Sequence, residues 1–402
     1  MIKSLKVASF LAFTSIKKGN FGVILLTVLI LALVALNLLF VPSLLEGLVS
    51  SANSKLKNTY AGDIIIESAL NDPLIPDVDQ LITRIEAIDG VVAATPRNNL
   101  GVEISFGNER TNCLVYGIWP EREKAVFTIN ESLLEGTYLD SNDYDEILLG
   151  IQLAGADKPS IELYSRSLQK VHAGDRILVT YANGIQKTYN VKGVFHTEFI
   201  QTDLQAFVSE TEFETVSPLV TNKASSIRVR TEDGASVTSI IEQMGRIRDG
   251  LRILTWEDYA GIVRSMTDSF NVINTILNVV NSLVAGITVF IVTYIDVTNR
   301  RRQIGIQRAI GITQTSITLA YLLRAVFYAI IASIFASLVF LYVVTPVEAR
   351  YPFHFPFGNV YLVTGFSHLS RATSILLCTA VVAAFLPVWI ALRIKILDAI
   401  WG

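Results

Sequence analysis

Apolar residues dominate four stretches of the chain, at about 22–45, 276–298, 314–344 and 372–393. Crossing a bilayer core as a helix takes about 20 such residues. Each stretch is long enough, and the third has residues to spare for tilt. Between the first and second stretches the pattern changes. Asp63-Ile-Ile-Ile-Glu67 predicts a short buried strand, and Val78, Leu81, Ile82, Ile85 and Ile88 recur at helical spacing before a stop at Asp89-Gly90. Residues 91–96 and 113–118 predict strands. Residues 176–181 and 188–195, around Asn183-Gly184, predict a β-hairpin. A strand at 227–230 and a helix at 236–247 follow, and 156–170 is polar without a period, a surface loop. The expected architecture is an α-helical membrane protein with four transmembrane helices. An α+β domain at 46–269, with stalks, is inserted between the first and second helices.

The stalks are legible too. Residues 44–60 carry the first span outward with Leu45, Leu48, Val49, Ala52 and Leu56 on one face. Residues 257–276 lead back as a helix continuous with the second span, so 270–298 is stalk and span together. On that helix Asn271, Asn274, Asn278 and Asn281 share a face. They are either a solvated stalk face or, for Asn274, Asn278 and Asn281, a polar seam at a dimer interface or along a cargo path.

Basic residues set the orientation. Lys3, Lys6, Lys17 and Lys18 precede the first span, Arg300, Arg301, Arg302 and Arg308 follow the second, and Arg393 and Lys395 follow the fourth. By the positive-inside rule the amphipathic segment 1–21, the loop 299–313 and the tail 394–402 are cytoplasmic. The inserted domain and the loop 345–371 are then extracytoplasmic. The stretch from Val23 to Leu45 is too long for a signal-peptide core and lacks a small-x-small cleavage site, so it reads as a retained span.

Composition adds exclusions. The chain is 51% hydrophobic and 17% charged with a net charge of −3, which fits a protein partly dissolved in lipid and offers nothing to nucleic acid. Cys113 falls in the domain and Cys378 in the last span, so no disulfide framework is expected. There is no G-x-x-x-x-G-K-[ST], no H-E-x-x-H, no G-x-S-x-G and no metal-ligand spacing among His172, His196, His354 and His368. No catalytic residue, metal or cofactor is expected; any ATP must be held by a partner.

The loop 299–313 carries the sharpest signal. As a helix it sets Ile306 and Ile310 on one face with Arg302 a turn before, while Arg301, Gly305 and Arg308 point elsewhere and Gly311 stops it. That ridge suits a groove on a protein partner; the plainer reading is a basic membrane flank. The aromatic and proline cluster at 351–357 reads as an interfacial anchor or as a contact for lipidic cargo.

These residues also carry a family resemblance. Arg302-Gln-Ile-Gly-Ile-Gln-Arg-Ala-Ile-Gly311 resembles the R-E-I-G-I-L-R-A-I-G loop of FtsX/MacB-type permeases of ABC transporters, departing at Gln303 and Gln307. The ending from Pro387 through Ala391 and Arg393 to Ala399-Ile400 is similar to the family's P-x-x-x-A-x-R-x-x-x-x-x-A-L. In the domain, Val115-Tyr-Gly117-Ile-Trp-Pro120, Glu135-Gly136, Ile147-Leu-Leu-Gly150, Ala173-Gly-Asp175 and Val191-Lys-Gly193-Val194-Phe195 follow the order of the LolC/LolE-like branch.

The resemblance implies a MacB/LolC-like periplasmic core and a multi-pass protein of the cytoplasmic (inner) membrane. It implies two permease subunits, identical or homologous, working with two cytoplasmic ABC ATPases. The coupling candidates are Arg301, Arg302, Gln303, Ile304, Gly305, Ile306, Arg308, Ala309, Ile310 and Gly311. The implied work is extraction or export of a hydrophobic or lipid-linked cargo such as a lipoprotein, with an extracytoplasmic accessory protein as a further candidate partner. The alternative is an FtsX-like mechanotransmitter that activates a cell-wall hydrolase. The topology is testable: single cysteines at positions 18 and 359 should react with a membrane-impermeant maleimide from opposite sides, and reaction of both from outside contradicts the four-span arrangement.

Overall fold

The computed structural model describes residues 2–17, 21–69, 72–155, 163, 166–259, 261–355 and 358–393. The tail expectation at 394–402, residue 18 and most of the loop at 156–165 lie outside the described residues. The chain opens with α1 (Ile2–Lys17) and α2 (Phe21–Lys55), which ends in a wider helical turn, Leu56–Ala61. The inserted segment then runs β1 (Ile64–Ser68), α3 (Val78–Glu86), β2 (Val91–Phe106), β3 (Glu109–Ile118), α4 (Pro120–Val126), β4 (Leu133–Gly136) and β5 (Glu146–Gly150). It continues through β6 (Arg176–Tyr181), β7 (Gln186–Phe195), β8 (Gln205–Ser209), α5 (Glu210–Val216), β9 (Ser226–Thr231), α6 (Val237–Gly245) and β10 (Leu251–Thr255). Helices α7 (Gly261–Asn299), α8 (Arg301–Ala309), α9 (Gln314–Val339) and α10 (Phe366–Leu392) complete it.

Two compact units result: Met1–Leu48 with Thr267–Phe353 and Tyr361–Gly402, and Val49–Met266 with His354–Val360. Four helical stretches are long and apolar enough to span a membrane: Phe21–Ala61, Asp268–Asn299, Gln314–Arg350 and Phe366–Leu392. The third extends past α9 through a wider turn, Phe340–Val344, into Thr345–Arg350.

Small side chains hold the spans together. Ala325, Ala329, Ala332 and Ala336 of α9 are buried in one cluster with Ala372, Ala380 and Ala384 of α10. Lipid tails are as apolar as leucine, so helices in a bilayer associate where small residues let backbones approach. A hydroxyl pair, Ser333 and Thr373 at 2.6 Å, adds a polar contact along the same seam. The N-terminal α1 uses the same device, setting Ala8 and Ala12 against Ala320 of α9. Its other face leaves Phe10 71% and Phe13 70% exposed.

The inserted domain is built on a ten-stranded sheet in the order β10-β1-β9-β2-β3-β8-β5-β7-β4, with β6 pairing β2 and β7. Strand β2 is its spine. Residues 91–97 pair β9, and residues 97–106 pair β3. On one side of the handover, α3 and α6 cover β1 and β9 through Ile64, Ile82, Ile85, Ile227 and Ile240. On the other, Ile104, Val115, Val179, Tyr189, Val208 and Phe213 form a second core. Close backbone approach explains two glycines of the sequence fragments. A Cβ on Gly136, whose φ is +77°, would meet the Lys192 carbonyl at 2.1 Å; one on Gly150 would meet the Asp203 carbonyl at 2.2 Å.

Arg97 sits where β2 changes partners, and its side chain is 2% exposed. Its Nε donates to Glu123 Oε1 at 3.0 Å, Nη2 donates to the same oxygen, and Nη1 donates to the Tyr60 carbonyl at 3.3 Å. Thr95 donates to the other carboxylate oxygen at 3.2 Å, and the guanidinium lies 4.0 Å from the Phe127 ring centre. Breaking a buried pair strands one charge, whereas replacing both with apolar residues removes the penalty. Glu123→Ala should therefore destabilise the domain by about 3 kcal/mol or more, and the double variant Arg97→Met/Glu123→Leu should recover much of that loss in chemical denaturation. A double variant as unstable as the single one contradicts this account.

Glu210 opens α5 and accepts one hydrogen bond, from Asn98 at 3.2 Å, while its other oxygen has no partner among the described residues. Burial pushes its carboxyl up to about 7, with Glu214 adding to the rise and Asn98 opposing it. The folded state thus holds a proton that the unfolded chain releases near 4.5. The associated stability is present below that value and is lost as pH rises through about 7. Relative to Glu210→Gln, the wild-type melting temperature should fall between about pH 4.5 and 7 and level off above; a constant difference across that window contradicts it.

Candidate functional site

The candidate site is α8 and the polar cluster at its root, all within the membrane unit. Arg300 precedes the helix, and Gly311, with φ +95°, follows it. The stop is built as the sequence suggests: the Gly311 amide donates to the Arg308 carbonyl and the Ile312 amide to that of Gln307, at 3.1 and 3.0 Å. Thr313 then caps α9 by accepting from the Ser316 amide.

The ten coupling candidates divide by face. Ile304 and Gly305 are buried, and Ile304 packs with Val297, Ile317, Tyr321, Val388 and Leu392, anchoring the helix to α7, α9 and α10. Arg302, Gln303, Ile306, Ala309, Ile310 and Gly311 are exposed, with Ile306 at 47% and Ile310 at 73%. Arg301 and Arg308 are half-buried. An apolar pair this exposed, on a helix whose opposite side is pinned, presents a rigid ridge.

At the root of α8, Asp296 near the end of α7 accepts from Arg300 Nε at 3.0 Å and from Arg324 Nη1. Arg324 lies within α9, is 8% exposed, and also donates to the Tyr328 hydroxyl at 3.3 Å. Arg300 Nη1 donates to Ser15 Oγ of α1 at 2.8 Å. One carboxylate thus joins α7 to α9 and, through Arg300, to α1. In the sequence Arg300 reads as a topology signal, and no motif or period marks Asp296, Arg324 or Ser15. The available signal was an acid and a base inside apolar spans, where ionisable residues are costly and pair with one another.

The asparagines have different partners within the chain. Asn281 donates to Asn37 of α2 at 2.8 Å, and Asn278 donates to Asn274 at 3.1 Å along α7. Asn278 also lines an open apolar groove of about 1010 Å3 between α7 and α10, with Ser282, Gly286, Phe290, Cys378 and Val382. Only 11% of the α7 span is buried, against 33–39% for the other three. In the outer loop Tyr351 is 71% exposed, and Phe353 packs edge-on against Phe40 at 6.2 Å; residues 356–357 lie outside the described residues. Among the described residues no group of three His, Cys, Asp or Glu side chains is placed to hold a metal.

Residues 24–247, more than half of the chain, match the MacB-like periplasmic core domain, and residues 275–396 match the FtsX-like permease C-terminal domain. No curated protein matches the chain. Among solved structures, the periplasmic region of MacB from Actinobacillus actinomycetemcomitans is similar at 11% identity and a TM-score of 0.35, over 50% of this chain and 92% of that one. The extracellular domain of the noncanonic ABC-type transporter YknZ from Gram-positive bacteria is similar at 14% identity and 0.34, over 48% of this chain and 99% of that one. With a MacB-like core set between its first two membrane helices and an FtsX-like C-terminal region around α8, the chain belongs to the MacB/FtsX-like family of ABC transporter permeases.

Proposed function

We propose that this chain is the permease subunit that converts ATP hydrolysis by a separate cytoplasmic ABC ATPase into movement of its extracytoplasmic domain. That movement extracts or exports a hydrophobic or lipid-linked cargo, with lipoprotein the leading candidate, at the outer face of the cytoplasmic membrane. The observation that carries the reading is the split of α8, with Ile304 and Gly305 buried against the spans and Ile306 and Ile310 offered outward. A helix docked on a partner through one face and fixed to the membrane unit through the other passes a push directly to α7 and α9. ATP is held by the partner, since the chain has no phosphate-binding loop of its own.

A second permease subunit, identical or homologous, fits the exposure of α7. That span has few buried residues and carries the half-buried Asn274 and Asn278. Polar side chains in lipid favour a partner helix, so Asn274 and Asn278 remain candidates for the dimer or the cargo path, whereas Asn281 is engaged with Asn37.

Substituting Ile306→Asp or Ile310→Asp should leave insertion and domain folding intact, because both side chains are exposed. Each should cut recovery of the ATPase with the permease and abolish permease-stimulated hydrolysis. A docking anchor of this size carries about 2 kcal/mol or more, roughly a thirtyfold loss in affinity. Unchanged recovery and stimulation for both variants would make α8 a topology signal and remove the coupling role. In cells the same variants should retain cargo in the membrane; loss of cell-wall hydrolysis with cargo movement intact would favour the mechanotransmitter reading.

A further inference from the structure

Two cavities of the membrane unit meet at the same pair of arginines. The first, about 550 Å3, lies among α1, α8 and α9, and Thr14, Ser15, Arg300, Gln303, Gln307 and Arg324 supply its polar lining. The second, about 590 Å3, is a mainly apolar cleft between α2 and α7. Val23, Leu26, Ile30, Ile291 and Ile295 line it, and Asp296, Arg300 and Arg324 lie together in its lining. A polar chamber and an apolar cleft that share two guanidinium groups have the outline of a phospholipid.

The charge balance points the same way. Arg300 and Arg324 share the single carboxylate of Asp296, so two positive charges less one negative leave one positive charge facing the cavities. No acid lies between residues 1 and 45 or between 297 and 347, while Lys3, Lys6, Lys17, Lys18, Arg301, Arg302 and Arg308 surround the region in sequence. Arg324 is 8% exposed, and its Nε has no hydrogen-bond partner among the described residues. A buried charged donor left without an acceptor is costly, so a guanidinium one acceptor short favours an anion beside it. Phe10 and Phe13 leave an apolar face exposed on α1, the helix that lines one wall of the chamber.

We infer that the paired cavities form a binding site for an anionic phospholipid of the cytoplasmic leaflet, its phosphate held by Arg300 and Arg324 and an acyl chain laid in the α2–α7 cleft. Basic pockets between transmembrane helices on the cytoplasmic side are known to select such headgroups. Bound there, the lipid braces the root of α8 against α1, α7 and α9, so anionic lipid content sets how stiffly the coupling helix is held. The inference rests on the cytoplasmic placement of α8 under the proposed function, but its test uses the permease alone.

Full-length permease, delipidated in detergent, is titrated with dioleoylphosphatidylglycerol or dioleoylphosphatidylcholine, and retained lipid is counted by native mass spectrometry. One phosphatidylglycerol should be retained at least about fivefold more tightly than phosphatidylcholine, the factor that one fixed charge near a membrane surface carries. Gln303→Glu, on an exposed helix position, adds a negative charge to the chamber and should reduce that preference. Ile295→Trp fills the cleft and should weaken retention of both lipids without removing the preference. Equal retention of the two lipids, or Gln303→Glu without effect, overturns the site. Displacement of the lipid by millimolar inorganic phosphate would make it a simple anion pocket and overturns the lipid assignment. Because no ATPase is present, failure here is separable from failure of the coupling role.

Discussion

The membrane unit is organised around one carboxylate. Asp296 is shared by Arg300 and Arg324, and through Arg300 it reaches Ser15. Three helices therefore meet at a point where each charge depends on the other two. An arginine buried in a span is costly unless paired, so Arg324 fixes the rotation of α9 relative to α7 more strictly than the surrounding alanine contacts could. Alanine seams let helices approach closely but tolerate sliding; a guanidinium–carboxylate pair tolerates little. The start of α8 is held by the same group, so its exposed ridge is positioned by an ion pair and its buried side by Ile304.

The inserted domain solves a different problem. Its sheet changes partners midway along β2, and a spine that serves two cores needs a reason to stay in one register. Arg97, Thr95 and Glu123 supply it, because a one-residue slip would turn the buried guanidinium to the opposite face. Around them Phe127, Tyr116 and Phe207 offer ring faces at 4.0, 5.9 and 5.5 Å from the guanidinium. The domain thus keeps its specificity in a satisfied polar centre, whereas the spans keep theirs at one end.

Much of this was legible in the sequence, and the limits have physical causes. Span length and basic flanks are averages over many residues, so the four helices emerge from the apolar pattern, and the inserted α+β domain emerges from local strand and helix periodicity. The hairpin at Asn183-Gly184 and the helix from Val78 have strong local signals and fall where expected. Strand β2 was read only to residue 96, because Pro96, Arg97, Asn98 and Asn99 break the alternation. Arg97 and Asn98 are buried through distant partners at Glu123, Lys223 and Ser225, and no period announces such contacts. The spacing sets the asparagines of α7 on one side of a helix, yet Asn281 donates to Asn37, a residue 244 positions away. Arg324 was missed for a similar reason: a single base in an apolar run looks like noise until its partner is known.

Cys113 lends itself to a chemical reading. It lies in β3 beside the second core, and burial pushes its thiol up to about 12. Oxidation, mixed-disulfide exchange and alkylation all proceed through the thiolate. A group protonated at every physiological pH is a poor substrate for each of them. An unpaired cysteine in a compartment that favours sulfur–sulfur bonds would ordinarily invite covalent dimers and adducts. Here the same desolvation that packs β3 disfavours the thiolate on which each of those reactions depends.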